Sequence, residues 1–515
     1  MISLIEGKNM NNKQKSINNL LCAIFGQMIS IAFGLILPRL FVVSYGSEVN
    51  GLLSSLSNFL VCLSLFEAGV GIASLQALYK PVAEQDWPKI NGVLAATKGY
   101  YRKTGRCYLI ALLVLSLGYP LIVDSDLSYL TVCGAFFFSG IGNVVSFYIQ
   151  GKYILLIKAE NKNYILSNLS TLTNTLISLS KVLLIYLGVN IVTILAVSFL
   201  IQCLQVVYIL HYIRKNYPEL DLNAEPDRLA VSQKNYALIH QIGALVFNNT
   251  DVVILTMICG LKVVSVYSVF KMISGHLDQI LNLVTNSVSA ALGQNYQTNR
   301  ERYKQMIDVF ESIYSVLAYG FYAVALYLYL PFMRLYMAGV TDINYVDGKL
   351  AILFVAAGLL SHSRVPMVQT IDYAGHFKQT TSYSLAEMVI NLVTSLIGVW
   401  VWGIYGVLLG TVAALLYRTN QIIIYANTQC LNRKPWRTYA VYLVNLLVLL
   451  ATTVVLDLLF GGIEIDSYLK LILVGVGATV TSLGMFLLAQ IVCFPDCRKA
   501  VAGIGGLVRK RISNR

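Results

Sequence analysis

The chain has 515 residues, of which 57% are hydrophobic and 12% charged, where a soluble domain carries about 25% charged residues. So much apolar side chain cannot be hidden in a water-soluble core of this size, so the solvent around most of the chain is lipid. The formal charge of +13 does not point to nucleic acid, because basic residues gather on the cytoplasmic loops of membrane proteins.

Lys8, Lys13 and Lys15 form a basic leader that runs straight into a spanning-length apolar stretch. No small-residue cleavage site follows it, so no cleavable signal peptide is expected. A helix needs about 20 apolar residues to cross the hydrocarbon. By that measure fourteen spans are predicted, at 17–41, 51–76, 107–123, 129–151, 164–187, 190–213, 236–258, 264–292, 308–331, 349–370, 381–401, 405–428, 438–459 and 469–493. The expected fold class is an all-α integral membrane protein. With the N-terminus inside, 29 of the 38 Lys and Arg residues fall on the cytoplasmic side. Only Lys262, Arg334, Lys349 and Lys470 fall outside. This asymmetry predicts an even number of crossings with both termini cytoplasmic.

Two polar segments interrupt the pattern. In 77–106, Trp87-Pro88-Lys89 gives a helix start, and the segment reads as a short helix on the membrane surface. Residues 214–235 hold Pro218 and Pro226 amid alternating charge and read as a linker. The predicted organisation is a six-helix bundle at 1–213, a cytoplasmic linker at 214–235 and a second six-helix bundle at 236–428. Two extra helices and a basic tail follow at 429–515. A weak repeat agrees with it: Gly46-Ser47-Glu48-Val49-Asn50-Gly51 after the first span matches Gly260-Leu261-Lys262-Val263-Val264-Ser265 after the seventh. Such a parallel repeat is a common transporter plan; chance resemblance of apolar segments is the alternative.

Five basic residues stand inside the spans: Arg39, Lys181, Lys271, Arg364 and Arg418. Glu67, Asp251, Asp278 and Glu387 accompany them. Each charge costs about 2.5–3.5 kcal/mol at a helix centre, so such residues face a cavity or a partner, unless they lie near an end and snorkel. Lys271, Ser274, Asp278, Asn282, Thr285 and Ser289 fall on one helical stripe. His240, Gln241, Asn248 and Asp251 share an arc of the seventh span, and Asn174 lies with Lys181 on a polar face of the fifth. Polar stripes also hold helices together, but three of them with ionisable groups predict a wet, cationic cavity suited to an anionic head group. The carboxylates are candidates for H⁺ or Na⁺ coupling, or counter-ions to the cations. No catalytic constellation, nucleotide motif, cofactor or metal site is expected. The nine cysteines are dispersed, and only Cys493 and Cys497 lie close in sequence. Gly406 and Gly410 have the spacing for close helix packing.

Pro38-Arg39-Leu40, Tyr45-Gly46, Asn50-Gly51-Leu52, Phe66-Glu67-Ala68-Gly69-Val70-Gly71 and Leu78-Tyr79-Lys80 together resemble the opening helices of Wzx-type polysaccharide flippases. Those proteins belong to the multidrug/oligosaccharidyl-lipid/polysaccharide (MOP) exporter superfamily. Gly375-His376-Phe377-Lys378 looks like that family's short cytoplasmic turn. The resemblance implies a V-shaped pair of six-helix bundles with alternating access in a bacterial cytoplasmic membrane. It implies translocation of an undecaprenyl-pyrophosphate-linked oligosaccharide to the outer leaflet for surface polysaccharide synthesis. Membrane lipids, and a polysaccharide polymerase or ligase, are the partners it suggests. The superfamily's peptidoglycan-precursor flippases carry an Arg-Asp pair in the first helix; this chain has Phe33-Gly34 there, which argues against lipid II. The alternatives are a cation-coupled exporter of small molecules and, with no large outer loop to house it, a membrane enzyme acting on the lipid-linked glycan.

Overall fold

A computed structural model describes residues 12–64, 70–227, 236–499 and 502, and among these the regular structure is helical throughout. Eleven helical segments are long and apolar enough to cross a membrane, which makes the chain a multi-pass membrane protein. The predicted span 51–76 falls on two further helices, Ser47–Leu63 and Val70–Glu84, and the spans 236–258 and 264–292 fall on Tyr236–Ile258 and Leu261–Thr298. Packing divides the chain into two units, Met1–Ser265 and Val266–Arg515.

The first unit holds α1 (Asn12–Tyr45), α2 (Ser47–Leu63), α3 (Val70–Glu84), α4 (Trp87–Ile122) and α5 (Tyr129–Val145). It continues with α6 (Gly151–Ala159), α7 (Asn163–Tyr186), α8 (Ile191–Asn216) and α9 (Tyr236–Ile258). Its core is apolar and aromatic, with Leu52, Leu94, Tyr108, Leu112 and Phe136 fully buried. The second unit holds most of α10 (Leu261–Thr298), then α11 (Arg300–Tyr336), α12 (Gly348–Ser363) and α13 (Val365–Ala374). It ends with α14 (Phe377–Trp402), α15 (Ile404–Tyr425), α16 (Trp436–Phe460) and α17 (Tyr468–Cys493).

The first unit differs from the sequence reading in one place, for a local reason. The expected surface helix within 77–106 is not separate: α4 runs unbroken from Trp87 through the predicted third span. The Asp86 side chain caps it by accepting from the Lys89 amide at 3.2 Å, and Pro88 sits in the first turn, where its missing N–H costs nothing. Residues 217–227, read as linker, lie along α4. Asn91 donates to the Glu219 carbonyl at 3.1 Å and accepts from the Asp221 amide at 3.1 Å; Lys98 donates to the Leu222 carbonyl at 3.3 Å. Tyr217 anchors the start of this strap by donating to Glu160 Oε2 at 2.5 Å, and burial beside that carboxylate raises its phenol well above the usual range.

The packing division also falls later than the sequence-based one, because α9 joins the first unit along α2. Ser55 and Thr256 hydroxyls meet at 2.7 Å, and Asn50 donates to Ser265 Oγ at 2.7 Å. The Gly51 α-carbon lies so close to the Leu261 carbonyl that a Cβ would overlap it. These contacts bring the two joints of the sequence repeat face to face. Each turns on a glycine with positive φ, Gly46 at 88° and Gly260 at 81°, a conformation glycine adopts without steric cost.

Candidate functional site

The second unit gathers charge where α12, α13, α14 and α15 meet. Small residues set this up. Gly398 and Gly406 face each other across the α14–α15 seam, and a Cβ on Gly398 would stand 2.6 Å from the Gly406 carbonyl oxygen. Gly410 lies against Ser395 in the same way. Further along, Ser395 donates to the Val407 carbonyl at 3.1 Å and Asn391 donates to Thr411 at 3.0 Å. The antiparallel register fixed by these contacts brings Glu387 opposite Arg418, whose Nε lies 3.4 Å from Glu387 Oε2.

Arg364 reaches the same carboxylate from another direction. It is the single residue between α12 and α13. Pro366 at the start of α13 has no N–H to give the preceding turn, and the Arg364 carbonyl accepts from the Met367 and Val368 amides at 3.1 and 2.9 Å. Its guanidinium donates to Glu387 Oε1 at 2.6 Å. Arg418 also donates to Ser384 Oγ at 2.8 Å and to Gln421. Two guanidinium groups share one carboxylate, so the triad is net positive. Arg418 is 7% exposed and Glu387 9%. Desolvating three charges is costly unless their pairing is close, and here each has a partner.

A second cluster lies on α10, α11 and α12. His362 Nε2 stands 2.7 Å from Asp278 Oδ1, and Tyr314 OH stands 2.8 Å from His362 Nδ1. Tyr322 donates to Asp278 Oδ1 at 3.2 Å. It reaches that far because residue 358 is glycine: a Cβ there would overlap the Tyr322 ring. Tyr303 and Tyr329, buried like Tyr314 and Tyr322, bond Thr370 at 2.8 Å and Ser274 at 3.2 Å. Much of the α10 polar stripe is thus a seam: Ser274, Asp278 and Ser289 meet tyrosines of α11 and α13, Ser289 through Tyr373 at 3.0 Å. Asn282 is exposed.

Of the predicted site residues, the structure joins Arg364, Glu387 and Arg418 directly and gives Asp278 a partner, His362, that the sequence did not single out. The signal for His362 was faint: Ser361-His362-Ser363-Arg364 is a polar interruption closing an apolar run. Lys271 is half-buried with its ammonium 5.8 Å from the Tyr267 ring centre. In the first unit, α1 and α7 run parallel. A Cβ on Gly26 would meet Thr171 Oγ1 at 2.8 Å, and Tyr45 donates to the Val189 carbonyl. Arg39 and Lys181, both half-buried, therefore lie at similar height on neighbouring helices. Asp251 is buried, and Asn174 and Asn248 are exposed. Glu67 and the side chains of His240 and Gln241 lie outside the described residues.

Spanning-length helices in two packing units, with ionisable clusters within the second, define a multi-pass membrane protein. Solved structures of a lipid flippase and of multidrug transporters have a similar fold. The lipid II flippase MurJ in an inward closed conformation matches with a TM-score of 0.64 at 14% identity, covering 92% of this chain and 100% of its own. An inward-facing multidrug resistance MATE family transporter of the MOP superfamily gives 0.58 at 13% identity over 83% of this chain and 98% of its own. The MATE multidrug transporter DinF-BH gives 0.57 at 15% identity over 80% of this chain and 95% of its own. No protein-family model and no curated protein sequence matches the chain.

Proposed function

We propose that this protein is a flippase that moves an undecaprenyl-pyrophosphate-linked oligosaccharide from the cytoplasmic to the outer leaflet of a bacterial membrane. Two six-helix bundles would alternate access around the substrate, with two extra helices and both termini cytoplasmic. The observation that carries the reading is the net-positive Arg364–Glu387–Arg418 triad inside the spans of the second unit. An anionic head group is the ligand such a triad suits: a phosphate oxygen can compete with Glu387 for either guanidinium, and charge-assisted bonds to phosphate are strong. Lys271, Arg39 and Lys181 are further cations for that path. The Phe33-Gly34 sequence in α1 supports a glycan carrier other than lipid II. The greater share of this chain matched by MurJ, 92% against 80–86% for the MATE transporters, supports the flippase reading over the small-molecule exporter.

The test is reconstitution into vesicles with fluorescent undecaprenyl-pyrophosphate oligosaccharide, scored for leaflet exchange. Exchange well above empty vesicles is expected, with at least a tenfold loss for Arg364→Gln and for Lys271→Glu in correctly inserted protein. Folded protein that leaves exchange at the empty-vesicle rate sinks the reading; efflux of small cations instead would favour the drug-exporter alternative.

A further inference from the structure

We propose that Asp278, His362 and Tyr314 form a proton-binding relay in the middle of the second unit, and that a transmembrane proton gradient acts on the protein there. Only the second clause rests on the transport reading; the proton site stands on geometry alone. Asp278 lies 17 residues into the 38-residue α10, about 25 Å from its start at about 1.5 Å per residue. At that depth an ionised carboxylate is expensive, yet its side chain is 49% exposed while that of His362 behind it is 5% exposed. An accessible carboxylate in front of a buried imidazole is an arrangement that can take a proton from water and hold it away from water.

The hydrogen bonds leave a place for one added proton. In the unloaded state His362 Nε2–H donates to the Asp278 carboxylate and Tyr314 O–H donates to Nδ1. A proton arriving from water has two seats, the Asp278 carboxylate or Nδ1. With Nδ1 protonated, the ring donates to the Tyr314 oxygen, the Tyr314 hydroxyl turns away from the ring, and the charge of the Asp278–His362 pair goes from −1 to zero. A hard metal cation prefers an all-oxygen shell, and here an imidazole nitrogen already occupies Asp278 Oδ1, so the proton is the fitting ligand.

The groups facing the pair leave it as the titrating element. Tyr322 from α11 donates to the same carboxylate oxygen. Tyr319 from α11 and Tyr442 from α16 both hold Ser363, next to His362. On α10, Lys271 lies two turns before Asp278. Arg364, two residues beyond His362, is held by Glu387. The relay and the cationic triad therefore share one helix interruption, and a proton on the ring places positive charge next to the head-group site.

The experiment uses the full chain in lipid nanodiscs with isotope-labelled histidine, titrated from pH 5 to 9 by NMR; His362→Gln identifies the His362 signal. The expected result is a single titration of that signal, with a midpoint displaced by about one pH unit or more in Asp278→Asn. A His362 signal unchanged across that range in the unaltered protein overturns the proposal without any variant having to fold. In glycan-loaded vesicles, an imposed pH gradient should change the exchange rate at least threefold. Equal rates with and without the gradient, in protein that does exchange glycan, overturn the coupling role. A titrating His362 in protein that moves no glycan supports the proton site and counts against the flippase reading alone.

Discussion

Glu387 shows what a single residue does here. It holds Arg364 at 2.6 Å and Arg418 at 3.4 Å, so replacing it by Gln leaves two nearly buried guanidinium groups without a counter-charge. Uncompensated buried charge costs about 3–5 kcal/mol. Glu387→Gln should therefore lower the thermal unfolding midpoint markedly in detergent, and adding Arg418→Met should recover part of the loss, because coupled groups do not behave additively. An additive double variant would show that the triad is not an energetic unit. The sequence did display these charges, since any ionisable residue inside an apolar run is conspicuous. Their pairing was hidden, because Glu387 lies 23 positions from Arg364 and on a different helix from Arg418. His362 was hidden more deeply: one histidine at the end of an apolar helix looks like a core residue until Asp278 and Tyr314 are seen on its two ring nitrogens.

At the scale of elements, backbone contact sets what side chains can meet. The α14–α15 seam has no space for a Cβ at Gly398, Gly406 or Gly410. Gly406→Leu should force the helices apart, at a cost of about 1–3 kcal/mol for overpacking. It should also loosen the Glu387–Arg418 contact three turns away, read as faster hydrogen exchange around 384–391 and 411–421 than in the unaltered protein. Exchange confined to the turn at Gly403 would show that the seam does not set the register. The glycine spacing was legible in the sequence as packing, but not its consequence for the charges, since partner and register are three-dimensional facts. The surface helix expected at 77–106 failed for a related reason. Polarity marks where a helix leaves lipid, and nothing in Lys89–Arg106 stops the helix once Asp86 has capped it. The tyrosines of α11 were invisible as a set, because they look like ordinary apolar residues until their hydroxyls find Thr370, His362, Asp278 and Ser274.

For the whole molecule, charge asymmetry in the sequence predicts the number and direction of crossings, and contacts between joints within each unit bear on the same prediction. Asp126 accepts from Lys262 at 3.0 Å, and its amide donates to Glu48 at 2.7 Å. The joints after α1, α4 and α9 therefore lie on one side of the membrane. Tyr45 reaching the Val189 carbonyl adds the joint after α7 to that side. The joint at 85–86 precedes α4, so if α4 crosses it lies opposite, and the chain from α2 to α3 is then expected to cross as well. The same parity predicts that α9 crosses, because α8, if it crosses, delivers the chain to the side opposite Val189, and Lys262 lies on the Val189 side. In the second unit, Arg433 on Asp308 at 2.6 Å ties the start of α16 to the early part of α11, and Tyr468 on the Leu335 carbonyl at 3.3 Å ties the two opposite ends. If α2 and α3 together, α9 and α10 also cross, the eleven apolar spans become the fourteen predicted from the sequence. Lys262 is the most discriminating position. If α9 and α10 both cross, a cysteine there in a cysteine-free protein reacts with a membrane-impermeant maleimide on intact cells, as one at Asp126 or Asp466 does. Cysteines at Asn161, Glu301 and Lys434 should react only after permeabilisation. If neither α9 nor α10 crosses, every other position keeps its side and Lys262 alone changes, so one label at 262 separates fourteen crossings from twelve.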